Sequence, residues 1–133
     1  MHSSKNKDPR DLGYYMPGEW HDHAGCWMAW PARVNLWPDI EATKKAYANV
    51  ANTIADFENL KLLVLPSMLD DAKTYLSEKV ETIAMDIDDS WTRDSGPNFL
   101  LNDSGSLAGS TWELSLIHIS EPTRPRLMSY AVL

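Results

Sequence analysis

A single cysteine, Cys26, leaves no possibility of an internal disulfide in these 133 residues, which fits a reducing compartment. No apolar run approaches the roughly 20 residues that a bilayer-crossing helix needs. The opening Met1-His-Ser-Ser-Lys-Asn-Lys-Asp8 lacks the apolar core of an export signal, so a cytoplasmic location is expected and a membrane partner is not. Positive charge is scarce: twelve Lys and Arg face nineteen Asp and Glu, a net charge of −7. That balance argues against nucleic acid and favours a cationic ligand. Phosphate-cradling glycine loops, fixed-period repeats and a usable Ser/His/Asp order are all missing. What is present is ordinary globular composition, 44% hydrophobic and 23% charged, enough for one modest domain with a real core.

Residues 1–15 are polar and aperiodic and are expected to be flexible. From Met16 the texture changes, and four tryptophans (Trp20, Trp27, Trp30 and Trp37) fall within eighteen residues. Cys26 to Trp30, stopped by Pro31, reads as a strand buried on both faces. Asp39 is a natural N-cap for a helix reaching about Glu58. In it Ala46, Tyr47, Val50, Ile54 and Phe57 recur at helical spacing as a core-facing stripe. Leu60–Leu65 is a strand closed by Pro66. Ser67 caps a shorter helix to about Ser77, and a third strand runs from Val80 to about Ile87. Asp88–Pro97 reads as a polar loop. Asn98–Asn102, the turn Asp103–Gly105 and Ser106–Trp112 read as a hairpin. The order β-α-β-α-β-loop-β-β is an α/β arrangement.

The stretch Ser115–Leu133 has no clear period, and Pro122 and Pro125 interrupt it. It resembles the translated sequence of a sequencing-adapter oligonucleotide, which implies a non-native tail behind a native segment ending near Leu114. The expected organisation is thus a flexible 1–15, a structured 16–114 and a foreign 115–133.

Chemistry concentrates after the third strand. Asp86, Asp88, Asp89 and Asp94 lie within nine residues around Trp91 and Arg93, and strand-end loops are where α/β folds place ligands. A carboxylate beside an aromatic wall suits a planar cation such as a guanidinium, gripped by paired N–H bonds and covered on its flat face. Arg93 can instead pair with one of these aspartates and hold the loop. The plain alternative is a solvated acidic turn with Trp91 plugging the core. Cys26, inside the expected buried strand and flanked by Glu19 and Asp22, reads as a small hydrophobe rather than a nucleophile. His21-Asp-His23 with Cys26 matches no common zinc spacing, so no metal is expected. The tryptophans read mainly as packing. Trp30, at a strand end beside Pro31, is the best placed of them to face a pocket.

Several blocks together resemble a known family. Met16-Pro-Gly-Glu-Trp20, Trp27-Met-Ala-Trp30-Pro31, Asn49-Val-Ala51 with Ile54-Ala55, and Asp88-Asp-Ser-Trp91-Thr-Arg93-Asp94-Ser-Gly96-Pro97 follow in order over residues 14–112. They resemble the N-terminal end of the agmatine deiminases, within the bacterial-type peptidylarginine deiminase family. The resemblance implies a pentein-type α/β propeller of several hundred residues, of which this chain is about the first blade and the start of the second. It implies cofactor-free hydrolysis of agmatine, a small cationic guanidino substrate, to N-carbamoylputrescine and ammonia through an amidino-cysteine intermediate. Asp94 then matches the aspartate that binds the guanidinium and orients its carbon, and Trp91 the tryptophan walling the pocket. Asp88, at the loop's edge, shapes the pocket or reaches the distal amine. The nucleophilic Cys, the catalytic His and the second carboxylate belong to later blades. Neither Cys26 nor His118 replaces them, so this chain alone is expected to be inactive. The full-length enzyme's oligomeric state stays open. The competing readings are a deiminase for peptidylarginine or another guanidino substrate, and a non-enzymatic fragment that binds guanidino compounds or polyamines.

Overall fold

A computed structural model describes residues 8–111 and 129–132. The strands are β1 (Tyr14–Tyr15), β2 (Cys26–Ala29), β3 (Leu60–Val64), β4 (Glu81–Ala84), β5 (Asn98–Asn102), β6 (Leu107–Thr111) and β7 (Ser129–Val132). The helices are α1 (Ile40–Ala55), α2 (Leu69–Lys73) and the single turn α3 (Thr92–Ser95). The chain is mixed α/β, as its pattern requires. It divides into two compact units, Asp22–Thr92 and a second built from the residues on either side.

In the Asp22–Thr92 unit, β2, β3 and β4 form a parallel sheet with β3 central. Its alternate residues Leu60, Leu62 and Val64 are at most 1% exposed, the period-two pattern of a strand covered on one face. Asp39 starts α1 by accepting from the Ala42 amide at 2.9 Å. The helix packs on the sheet through Ala48 and Ala51, joined by Tyr47, Ile54 and Ala55. Small alanines let the helix backbone approach the sheet closely, so the buried face is turned away from the stripe that spacing suggested. Ala46, Val50 and Phe57 are exposed instead, Phe57 at 85%. Asn52 ties α1 to the chain beyond α2: its amide donates to the Tyr75 carbonyl (3.1 Å) and its oxygen accepts from Ser77 N (2.8 Å). The Tyr75 hydroxyl donates to Glu41 (2.6 Å), and that bond together with Lys44 holds the Glu41 carboxyl below its ordinary range.

Three further expectations for this unit change. β2 is an edge strand rather than doubly buried. Trp27 is 46% exposed, with the Lys61 ammonium 5.4 Å from its ring centre. A short apolar run cannot by itself tell a central strand from an edge strand. Trp30 faces no pocket: it is wholly buried in the core, 6.1 Å from the Tyr75 ring. The second helix is also shorter than expected. Pro66–Met68 forms a 3-10 turn, Met68 occupies the N-cap without a side-chain bond, and Ser67 lies inside the turn.

The other unit holds an antiparallel sheet in the order β1-β5-β6-β7. β5 falls where the sequence placed it. Its hairpin closes through Asn102, whose side-chain oxygen accepts from Ser104 N (3.1 Å) and Ser106 N (2.8 Å), with Gly105 at φ +78°. Two short stretches for which the sequence suggested no element pair with this hairpin or lead into it. Asp8 caps a 3-10 turn over Pro9–Leu12, and β1 then pairs Tyr14 with Asn102. Ser129–Val132 pairs along β6. An open antiparallel edge recruits backbone, and that needs no side-chain period. Residues 1–7, 112–128 and Leu133, which take in the expected strand end at Trp112 and most of the tail from Ser115, lie outside the described residues.

Leu62→Ala should destabilise the fold by about 2–5 kcal/mol, the range for emptying a fully buried leucine site. Phe57→Ala should change it by less than about 0.5 kcal/mol. Urea unfolding of the two variants checks the burial pattern directly.

Candidate functional site

Beyond β4 the chain leaves the sheet with one last rung, Met85 N to the Val64 carbonyl at 2.9 Å, and enters the acidic loop. Its shape comes from side chains that periodicity does not single out. Arg33, just after the β2 segment, donates from Nε to the Asp88 carbonyl at 2.9 Å and lies 3.9 Å from the Asp89 carboxylate. Asp89 turns back to accept from the Ser90 amide at 2.8 Å. On the helix side, the Tyr47 hydroxyl meets Ser90 Oγ at 3.0 Å, and Trp37 packs edge-on against the Tyr47 ring with centres 6.1 Å apart. A backbone bond from Thr92 N to the Ser90 carbonyl (3.0 Å) leads into α3, one helical turn inside what was expected to be a polar loop throughout.

Asp88 and Trp91 therefore belong to the Asp22–Thr92 unit, and Asp94, on α3, belongs to the other. Asp88 and Asp94 are exposed. Trp91 is 63% exposed, so it does not plug the core. Arg93 feels the charge of its neighbour Asp94 and makes its hydrogen bond outside the loop. Its Nη1 donates to Glu19 at 2.7 Å, which pushes the guanidinium pKa further up. Both side chains are well solvated, so this pair adds little to stability. Arg33 braces the loop from across the unit.

Cys26 is partly buried at the start of β2. Burial and the neighbouring Glu58 carboxylate push its thiol pKa up, the reverse of what an activated nucleophile needs.

Residues 15–116 match the model of the Porphyromonas-type peptidyl-arginine deiminases. The chain belongs to that family. The match takes in the whole Asp88–Pro97 loop. A Legionella pneumophila protein named "Putative agmatine deiminase" is 46% identical over 110 residues, covering 80% of this chain and 32% of the relative. A Mycoplasma mycoides protein of the same name is 38% identical over 113 residues, covering 84% of this chain and 31% of that one. The solved structure of agmatine deiminase from Enterococcus faecalis superposes with a TM-score of 0.76 at 31% identity, over 80% of this chain and 30% of that structure. The chain thus spans about a third of the length of the curated relatives it matches. Among the described residues of this family member, no helix is long and apolar enough to cross a membrane.

Two measurements test this description. A double-mutant cycle of Tyr47→Phe and Ser90→Ala should give a coupling energy of about 0.5–1.5 kcal/mol in unfolding experiments, the worth of one part-buried hydrogen bond. Alkylation of Cys26 by iodoacetamide at pH 8 should run slower than that of an exposed cysteine peptide. Glu58→Gln should speed it, because removing the negative neighbour favours the thiolate.

Proposed function

We propose that this chain supplies the first guanidinium-binding segment of an agmatine deiminase, and that it forms roughly the first blade of a pentein propeller with the beginning of the second. The observation that carries the reading is the family match over residues 15–116, which includes the loop from Asp88 to Pro97 whose residue types suit a planar cation. Asp94 accepts paired N–H bonds from the guanidinium and sets the orientation of its central carbon. The Trp91 ring covers the flat face of the cation. Asp88, a short step along the same loop, meets the ammonium at the far end of agmatine.

The chemistry this positioning serves is replacement of one guanidinium nitrogen by oxygen. A thiolate outside this chain attacks the guanidinium carbon and ammonia departs. Water then cleaves the carbon–sulfur bond of the amidino-thioether, regenerating the thiol and leaving the ureido product, N-carbamoylputrescine, a putrescine precursor. The carboxylate of Asp94 holds the substrate throughout and transfers no electrons. The reaction takes place in the cytoplasm and needs no cofactor.

In a full-length deiminase carrying this segment, Asp94→Asn should lower kcat/KM for agmatine by about 30- to 160-fold, equivalent to 2–3 kcal/mol of a charge-assisted bond. Unchanged kinetics would remove Asp94 from the site. Turnover of arginine or peptidylarginine in place of agmatine would transfer the reading to the sister substrate class. The 133-residue chain should release no ammonia from agmatine by itself, and thiol-sensitive release would overturn the assignment of the nucleophile to another segment.

A further inference from the structure

At the opposite end of the parallel sheet from the acidic loop, two neighbouring side chains meet a third that is distant in sequence. His23 lies just before β2, Cys26 begins it, and Glu58 follows the C-terminal end of α1. His23 Nε2 is 2.5 Å from Glu58 Oε2 and 3.9 Å from Cys26 Sγ, and the three donor atoms all lie within 4.8 Å of one another. We propose that His23, Cys26 and Glu58 bind a borderline divalent cation of the zinc type, with a fourth position open to water.

The geometry separates this reading from a catalytic relay. A Cys-His-carboxylate relay uses opposite nitrogens of the imidazole, one toward the thiol and one toward the acid. Here the same Nε2 faces both partners. One nitrogen can present a single proton or a single lone pair, so it cannot pass a proton from sulfur to carboxylate. Donors converging on one point are instead what a shared cation requires. Zinc bonds of about 2.3 Å to sulfur and 2.0–2.2 Å to nitrogen and oxygen place tetrahedral donors about 3.4–3.6 Å apart. Seating the ion means spreading the His–Glu pair and drawing in the thiol. The His23 side chain, 52% exposed, has room to do so.

Charge points the same way. A carboxylate beside a thiol opposes its ionisation, whereas a dication satisfies a thiolate and a carboxylate together and leaves the imidazole neutral. The backbone beneath the cluster is already tied. Cys26 N donates to the Asn59 carbonyl at 2.8 Å, and the Asn59 side chain donates to the Ala24 carbonyl at 3.3 Å. A Cβ at Gly25 would collide with that same Asn59 carbonyl, so glycine permits the close approach that brings Glu58 beside Cys26. Cys26 also lines an open groove of about 500 Å³ with Trp27, Lys61, Lys79 and Glu81, which gives an ion a path in from solvent.

Cobalt(II) titration of the 133-residue chain tests this site. One equivalent should produce a thiolate-to-cobalt charge-transfer band with the visible spectrum of a four-coordinate ion, and zinc should bleach it. Cys26 is the chain's sole thiol, so binding by His2, His21 or His118 cannot mimic that band. Cys26→Ser should abolish it, and His23→Ala and Glu58→Gln should each weaken cobalt binding at least tenfold. Circular dichroism and tryptophan emission confirm that each variant is folded. Zinc should also raise the thermal midpoint of the parent chain and leave that of Cys26→Ser unmoved. Absence of the band overturns the proposal. So does a band whose affinity is unchanged in His23→Ala and Glu58→Gln, since that would be a cysteine binding alone.

Discussion

The contact on which the Asp22–Thr92 unit depends is the face of β3 against α1. Leu60, Leu62 and Val64 present one apolar row, and Ala48 and Ala51 allow the helix to lie close upon it. Burying each of these large side chains is worth about 1.5–3 kcal/mol, and β3 is the strand to which both parallel neighbours bond. With that contact in place, Trp30 is enclosed, the Tyr75 ring packs at a tilt against it, and Asn52 on the helix bonds the chain beyond α2. Both ends of the sheet inherit their geometry from it. Tyr47 on α1 reaches Ser90 in the loop after β4. Glu58, just past the helix, reaches His23 beside the start of β2.

The two ends have different chemistry because they are built from different parts of the strands. The C-terminal end opens into the acidic loop, where Arg33 holds the Asp88 carbonyl and lies beside the Asp89 carboxylate. This is the usual ligand-bearing end of an α/β sheet, and it is the part of the family match on which the deiminase reading rests. The N-terminal end gathers a thiol, an imidazole and a carboxylate. The raised thiol pKa that disqualifies Cys26 as a nucleophile is the ordinary consequence of placing it among groups that a cation would reconcile.

Much of the order of elements was legible in the chain. Asp39 caps α1 as its side-chain chemistry dictates, β5 occupies Asn98–Asn102, and the turn at Asp103–Gly105 follows from Asn, Ser and glycine content. The loop between Asp88 and Pro97 announced itself by its aspartates and Trp91, and its resemblance to a family motif agrees with the match over residues 15–116. Arg33 carried no such signal, because a single arginine after a proline has no periodicity to mark it. Its role appears only when the loop 55 residues later folds beside it.

What the sequence by itself determined was local: where the long helix begins, where turns fall, and which loop is acidic. These follow from propensity, capping and the bonds a side chain makes within a few residues. Tertiary structure decided which face of α1 is inside, that β2 lies at an edge, that Trp30 is enclosed while Trp91 is exposed, and that Arg93 pairs with Glu19. It also decided that β1 and β7 exist, since each is a strand only through its partner's backbone. The meeting of His23, Cys26 and Glu58 belongs to the same class. Residues 35 positions apart approach one another only after the helix has packed on the sheet, a contact that no local preference encodes.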